Sequence, residues 1–167
     1  MKVRGIELMR AGWGAALLIA PEAVLTRVHG VQVDRKAIVV TRVLGTRHLL
    51  QALLSGINPG PEVLAAGVWV DTVHSMTAFG LAVVDRRRAR AGVTDGVVAA
   101  LWAGLGFRHL RTGKARTATV SGRDRLARTV VGALPGGHGL MAQAQAVRSR
   151  AVTHGITVEY VETHSHS

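Results

Sequence analysis

The fold class this sequence predicts is all-α: a transmembrane bundle of three to four helices followed by a partly disordered C-terminal tail. Three observations carry that expectation. The stretches 11–21, 48–61, 63–70, 72–84 and 96–107 contain no Asp, Glu, Lys or Arg, although the chain has a formal charge of +11. A mean hydropathy of +0.25 is high beside that charge, so apolar and basic residues must be segregated along the chain. The segments about 36–56 and 61–84 are also apolar on nearly all sides, whereas a soluble surface helix keeps a polar face. Together these place a transmembrane domain over 1–107, with helices about 8–27, 36–56, 61–84 and 94–107. Residues 108–167 form a basic, Gly- and Arg-rich tail.

The first helix is the least regular. Lys2, Arg4 and Arg10 precede AGWGAALLIA, as in a signal peptide, but no small-residue cleavage pattern follows before Pro21 and Glu22, so the segment reads as retained. Its charge-free core is about half of the roughly 20 residues a span needs. It crosses only if Glu7, Arg10 and Glu22 lie near interfaces, and Pro21 kinks it. A re-entrant or surface-lying helix is the alternative. Gly30, within HGVQVDRK, is a natural stop before the second helix.

The second and third helices form a hairpin. Asn58-Pro59-Gly60-Pro61 breaks the chain between them, since proline lacks an N–H and glycine tolerates turn conformations. Pro61 then suits a first helical turn. The loop Asp85-Arg86-Arg87-Arg88-Ala89-Arg90 carries arginines that favour the cytoplasmic side. Thr94 and Asp95 read as the N-terminal cap of the fourth helix.

Beyond Arg108 the residues up to 122 resemble a linker. Arg123 to Leu134 and Leu140 to Val152 suit short amphipathic helices, and the alternating Ile156 to Val161 suits a strand. Only Thr129 to Val147 exceeds 18 residues without formal charge, and Pro135-Gly136-Gly137-His138-Gly139 interrupts it. All-round apolarity of single helices, rather than run length, therefore separates a bilayer bundle from a soluble one.

Folding the hairpin at Pro59 sets residues at equal depth. Arg47 lies twelve positions before it and Asp71 twelve after, which puts both roughly 18 Å from the turn, near the bilayer midplane. An isolated Arg or Asp there costs about 2.5 to 3.5 kcal/mol, so an Arg47–Asp71 ion pair is expected. Gln51, four residues from Arg47, and His74, three from Asp71, are expected in the same layer. Gly45 permits close helix approach, and Arg42 is near enough to the helix start to snorkel. The candidate intramembrane polar cluster is thus Arg42, Gly45, Arg47, Gln51, Asp71 and His74. As polar glue it would fix helix register; as a functional site Asp71 and His74 would line a proton or ligand path.

The pattern R-x-x-G-x-R-x-x-x-Q over Arg42 to Gln51, then D-x-x-H from Asp71 to His74, resembles small uncharacterised bacterial integral membrane proteins of about four helices. The run from Gly14 to Pro21 is similar to the first helix of that family. The resemblance spans roughly residues 9 to 107 and implies the architecture and the grouping of Arg42, Gly45, Arg47, Asp71 and His74. It implies no activity.

Several classes are disfavoured. Eighteen of the basic residues are Arg, but they are scattered, with 4% aromatic content, which argues against a nucleic-acid surface. The absence of cysteine excludes thiolate and disulfide chemistry. GALPGGHG lacks the strand and lysine of a phosphate loop, and no nucleophile elbow or zinc-protease motif occurs. His164 and His166 have a His-x-His spacing with no third ligand placed by sequence. No catalytic residue, cofactor or metal is expected.

The expected protein is a multi-pass protein of the cell membrane, not an enzyme, serving as a structural or accessory subunit. Its partners are membrane lipid and a protein partner or a second copy of itself. A small proton-coupled transporter or channel-like element is the second reading, and a soluble basic helical binding protein the third. Orientation is nearly tied, because the tail beyond Arg108 is as basic as the loop after Val84.

Overall fold

In the computed structural model, residues 5–30, 32–56, 59–112 and 119–165 are described, with side chains up to Thr153. The architecture is all-helical, with 86% helix and no strand among the described residues. The helices are α1 (Gly5–Ile19), α2 (Pro21–His29), α3 (Arg35–Gly56), α4 (Pro61–Val84), α5 (Ala89–Arg111), α6 (Gly122–Gly132) and α7 (Gly137–Ser165). This is more than the three or four expected. Helices α3 and α4 are each long and apolar enough to cross a membrane, and the bent pair α1 and α2 would make a third candidate.

The expected helix over 8–27 is two helices meeting at 101°. Proline disfavours helical geometry in the residue before it, and Ala20 sits at φ −128°, ψ 52°. The chain therefore turns sharply instead of kinking. Helix α2 winds as a π-helix from Val24 to His29 and stops at Gly30, whose φ of 61° is left-handed. A side chain there would also strike Arg90 Nη1, 2.7 Å from the position of its Cβ.

Helix α3 starts where Asp34 Oδ1 accepts the Ala37 amide at 2.6 Å, satisfying one of the free donors of the first turn. Arg88 Nη2 donates to the other oxygen at 3.0 Å. The Asp34 carboxyl is held below its ordinary value, chiefly by the Ala37 amide and further by Arg88.

Helix α5 begins at Ala89, not near residue 94. The turn over Asp85 to Arg88 is closed by the Arg87 amide on Asp85 Oδ1 at 3.0 Å. Alanine and arginine are good helix formers, so the helix starts directly after it. Thr94 is consequently interior to the helix, its hydroxyl bonded to the Arg90 carbonyl at 2.8 Å. Residues 57–58 of the expected hairpin turn and 113–118 of the expected linker lie outside the described residues.

Contacts divide the chain into two units, one of residues 1–58 and 70–105, the other of 59–69 and 106–167. In the first, α1 packs on α3 through Gly14 and Gly45. A Cβ on Gly14 would lie 2.9 Å from the Gly45 carbonyl oxygen, and one on Gly45 would lie 2.8 Å from that of Gly14. Gly92 of α5 comes similarly close to Ala78 of α4. Small residues at helix contacts are how helices pack when lipid supplies no hydrophobic drive between them.

The second unit holds the two tail helices expected near 123–134 and 140–152, as α6 and a longer α7. Leu64 and Ala65 of α4, Leu110 of α5, Val131 of α6 and Met141, Ala144 and Val147 of α7 form a buried apolar cluster. Helix α6 opens with a reciprocal cap: the Asp124 amide donates to Ser121 Oγ, and the Ser121 amide to Asp124 Oδ2. Gly136, at φ 75°, turns the chain into α7, and Trp69 Nε1 donates to the Pro135 carbonyl at 2.9 Å. The expected strand over 156–161 is helical. Its alternation had no partner strand, and a lone strand is marginal in any case.

Candidate functional site

Three helices of the first unit converge on one carboxylate. Asp71 of α4 is 1% exposed. Its Oδ2 accepts from Arg10 Nη2 of α1 at 2.8 Å and from Gln51 Nε2 of α3 at 3.1 Å. Its Oδ1 accepts from Arg47 Nη2 of α3 at 2.9 Å. Arg47 also donates to the Val70 carbonyl at 3.3 Å. The guanidinium of Arg10 lies over the Trp102 ring of α5, 5.2 Å from its centroid, and its Nε is 3.7 Å from Glu7 Oε2. Glu7 and Asp71 thus balance Arg10 and Arg47. A buried ion group tolerates its desolvation only when geometry and charge balance are this complete.

Of the four residues expected in one layer, Arg47 and Gln51 bond Asp71, and His74 does not. Gly45 is buried in the α1–α3 contact and does not touch the carboxylate. Arg42 is exposed, one face away from Thr41 and Gly45. His74 turns from Asp71 toward α5, where its Nε2 donates to Asp95 Oδ2 at 2.7 Å. One residue further on each helix, Ser75 Oγ donates to the Gly96 carbonyl at 2.8 Å.

Sequence reasoning missed Arg10, Glu7 and Asp95. For the first two a signal existed: Glu7, Arg10, Gly14 and Leu17 recur at helical spacing and are the buried face of α1. Because the helix crosses α3 at Gly14, the charges one turn and two turns earlier must enter the same interior. Asp95 has no such signal, since Thr-Asp after a glycine-containing stretch reads equally as a cap.

A second acid-base group surrounds Asp95. His74 of α4 is hydrogen-bonded to it, and His48 of α3 and His29 of α2 lie within electrostatic reach. His48 is 1% exposed, and neither of its ring nitrogens has a hydrogen-bond partner among the described residues. Among the described residues no group of three His, Cys, Asp or Glu side chains is placed to hold a metal ion. The His164 and His166 side chains lie outside the described ones.

The second unit has its own buried anion. Glu62, fully buried, accepts from Arg148 Nε at 3.1 Å and Nη2 at 2.5 Å, and from Arg128 Nη2 at 2.7 Å. Arg148 Nη2 is also 3.5 Å from Asp124. The fork of Arg148 closes α7 onto the first turn of α4 and holds the Arg148 guanidinium above its ordinary value, chiefly through the hydrogen bond to Glu62.

No family model, curated protein or solved structure matches this chain. Its chemistry has to be read from the side chains themselves.

Proposed function

We propose that this chain is a multi-pass protein of the cell membrane, and that its role is that of a structural or accessory subunit whose helices are registered by the Asp71 cluster. The observation that carries this reading is the distribution of side chains in the first unit. Charged and polar groups, among them Glu7, Arg10, His48, Gln51 and Asp71, are buried, while six large apolar residues on α3 and six on α4 are exposed. Met76 and Val83 are 69% and 80% exposed. Fully burying such a side chain is worth about 1.5 to 3 kcal/mol, so these twelve, more than half exposed on average, would forgo roughly 10 to 20 kcal/mol in water, as much as the about 5 to 15 kcal/mol that holds a domain together. In lipid the same surface is matched to its solvent, and the buried charges have their partners inside.

Nothing in the Asp71 cluster favours chemistry over architecture, because its donors are guanidiniums and an amide that hold a fixed geometry. A scaffold role follows, with exposed apolar helix faces available to a membrane partner or a second copy. The test is expression with a carboxy-terminal reporter, followed by an alkaline carbonate wash of the membranes. Retention in the pellet is expected; release into the wash would favour the soluble basic binding protein.

The second reading, a small proton-coupled transporter or channel-like element, is favoured by the His74–Asp95 bond. It predicts a pH-driven flux in proteoliposomes, which the scaffold reading does not.

A further inference from the structure

We propose that Asp95, with His74, His48 and His29, is a proton-binding centre distinct from the Asp71 cluster. The two carboxylates of the first unit differ in their partners. Asp71 is bonded by Arg10, Arg47 and Gln51. Arginine remains protonated throughout the accessible range, so none of these donors can hand over a proton. Asp95 is bonded by a histidine, the side chain whose charge changes near neutral pH. The Asp71 group is therefore a fixed set of charges and the Asp95 group an exchangeable one.

Four helices build the centre. Asp95 comes from α5, His74 from α4, His48 from α3 and His29 from α2. Fixed cations also face it: Arg47 of α3 acts on Asp95 and His48, and Arg10 of α1 on His48. On α5, Arg90 lies against Gly30, next to His29. Nδ1 of His29 and both ring nitrogens of His48 are buried with no partner among the described residues. A core that needed only packing would place leucine there, because a buried polar atom without a partner is a cost apolar side chains avoid.

Charge sets the capacity. Asp95 is bonded to His74 and acts at longer range on His48 and His29, and Arg10 and Arg47 already contribute positive charge, so a second imidazolium in the group is opposed. The centre accordingly takes one proton from water onto an imidazole nitrogen and shares it among groups that titrate together rather than singly. The inference holds for a scaffold or a carrier, and because it is read in detergent its failure is separable from that of the membrane reading.

The test uses the full chain in detergent micelles with ring-labelled histidine, resonances being assigned by single His→Gln variants. Nitrogen shifts are followed from about pH 4.5 to 8.5. The expected result is a single protonation step that the ring nitrogens of the centre report together at one midpoint, and that Asp95→Asn displaces. Independent curves with separate midpoints in the parent protein, or curves that Asp95→Asn leaves unchanged, would overturn the proposal. Should Asp95→Asn fail to fold, His48→Gln keeps the His74–Asp95 bond and must alter the His74 curve. An unaltered curve refutes the coupling.

Discussion

Replacing Asp71 by Asn is the most informative single change to the interior. The side chain keeps its shape and one carbonyl oxygen, so packing is conserved, but the negative charge between Arg10 and Arg47 is gone. Arg10 then keeps Glu7 at 3.7 Å, and both guanidiniums lose the carboxylate they approach at 2.8 and 2.9 Å. Removing one partner of a buried, hydrogen-bonded ion group costs about 3 to 5 kcal/mol, a large share of the about 5 to 15 kcal/mol available to a domain. Asp71→Asn should therefore lower the folded fraction recovered by size exclusion in mild detergent and depress the thermal midpoint followed by circular dichroism. Adding Arg47→Gln restores charge balance, so the double variant should recover part of the loss, and the difference measures the pairing. A single variant as stable as the parent, or a double variant at the sum of the two single losses, would refute the claim that these charges compensate one another.

Three further outcomes follow from the packing and caps. Gly45→Ala should destabilise the first unit by about 1 to 3 kcal/mol through overpacking against Gly14, whereas Gly104→Ala, inside α5 with nothing within 4 Å of the added carbon, should raise the thermal midpoint slightly in the same assay. Arg148→Ala removes the fork on fully buried Glu62 and leaves it to Arg128, at about 1.5 to 3 kcal/mol; limited proteolysis should then cut within α6 or α7, and an unchanged digestion pattern would count against the second unit's design. Asp34 has a lowered folded value, so its contribution is present above the unfolded value and is lost as pH falls through the folded one. The gap in melting temperature between the parent and Asp34→Ala should accordingly shrink below about pH 4; a gap constant with pH would show that ionisation of the cap contributes nothing.

What was legible in advance was whatever depends on local chemistry or on counting from a turn. Pro59 to Pro61 delimit α3 and α4 because proline and glycine act on the backbone directly, and equal spacing from that turn put Arg47 level with Asp71. Arg10 stayed hidden because the depth of α1 depends on where it crosses α3, a contact set by Gly14 and Gly45, which no local pattern around Asp71 reveals. His74 was expected in the Asp71 layer and bonds Asp95 instead, because α5 begins at Ala89 and Asp95, read from sequence as part of a cap, lies inside that helix. The tail helices were legible, but the core they pack on was not, because its apolar members Leu64 and Ala65 lie far back in the chain, beyond the reach of local composition.

The central claim is that apolar side chains on α3 and α4 face lipid while the charges they flank are sequestered inside. The chain contains no cysteine, so single-cysteine variants report unambiguously. Spin labels at Met76 and Val43, with the protein in liposomes, should be relaxed by dissolved oxygen and be insensitive to a water-soluble nickel chelate. Strong relaxation by the chelate at both positions would place those faces in water and contradict the account.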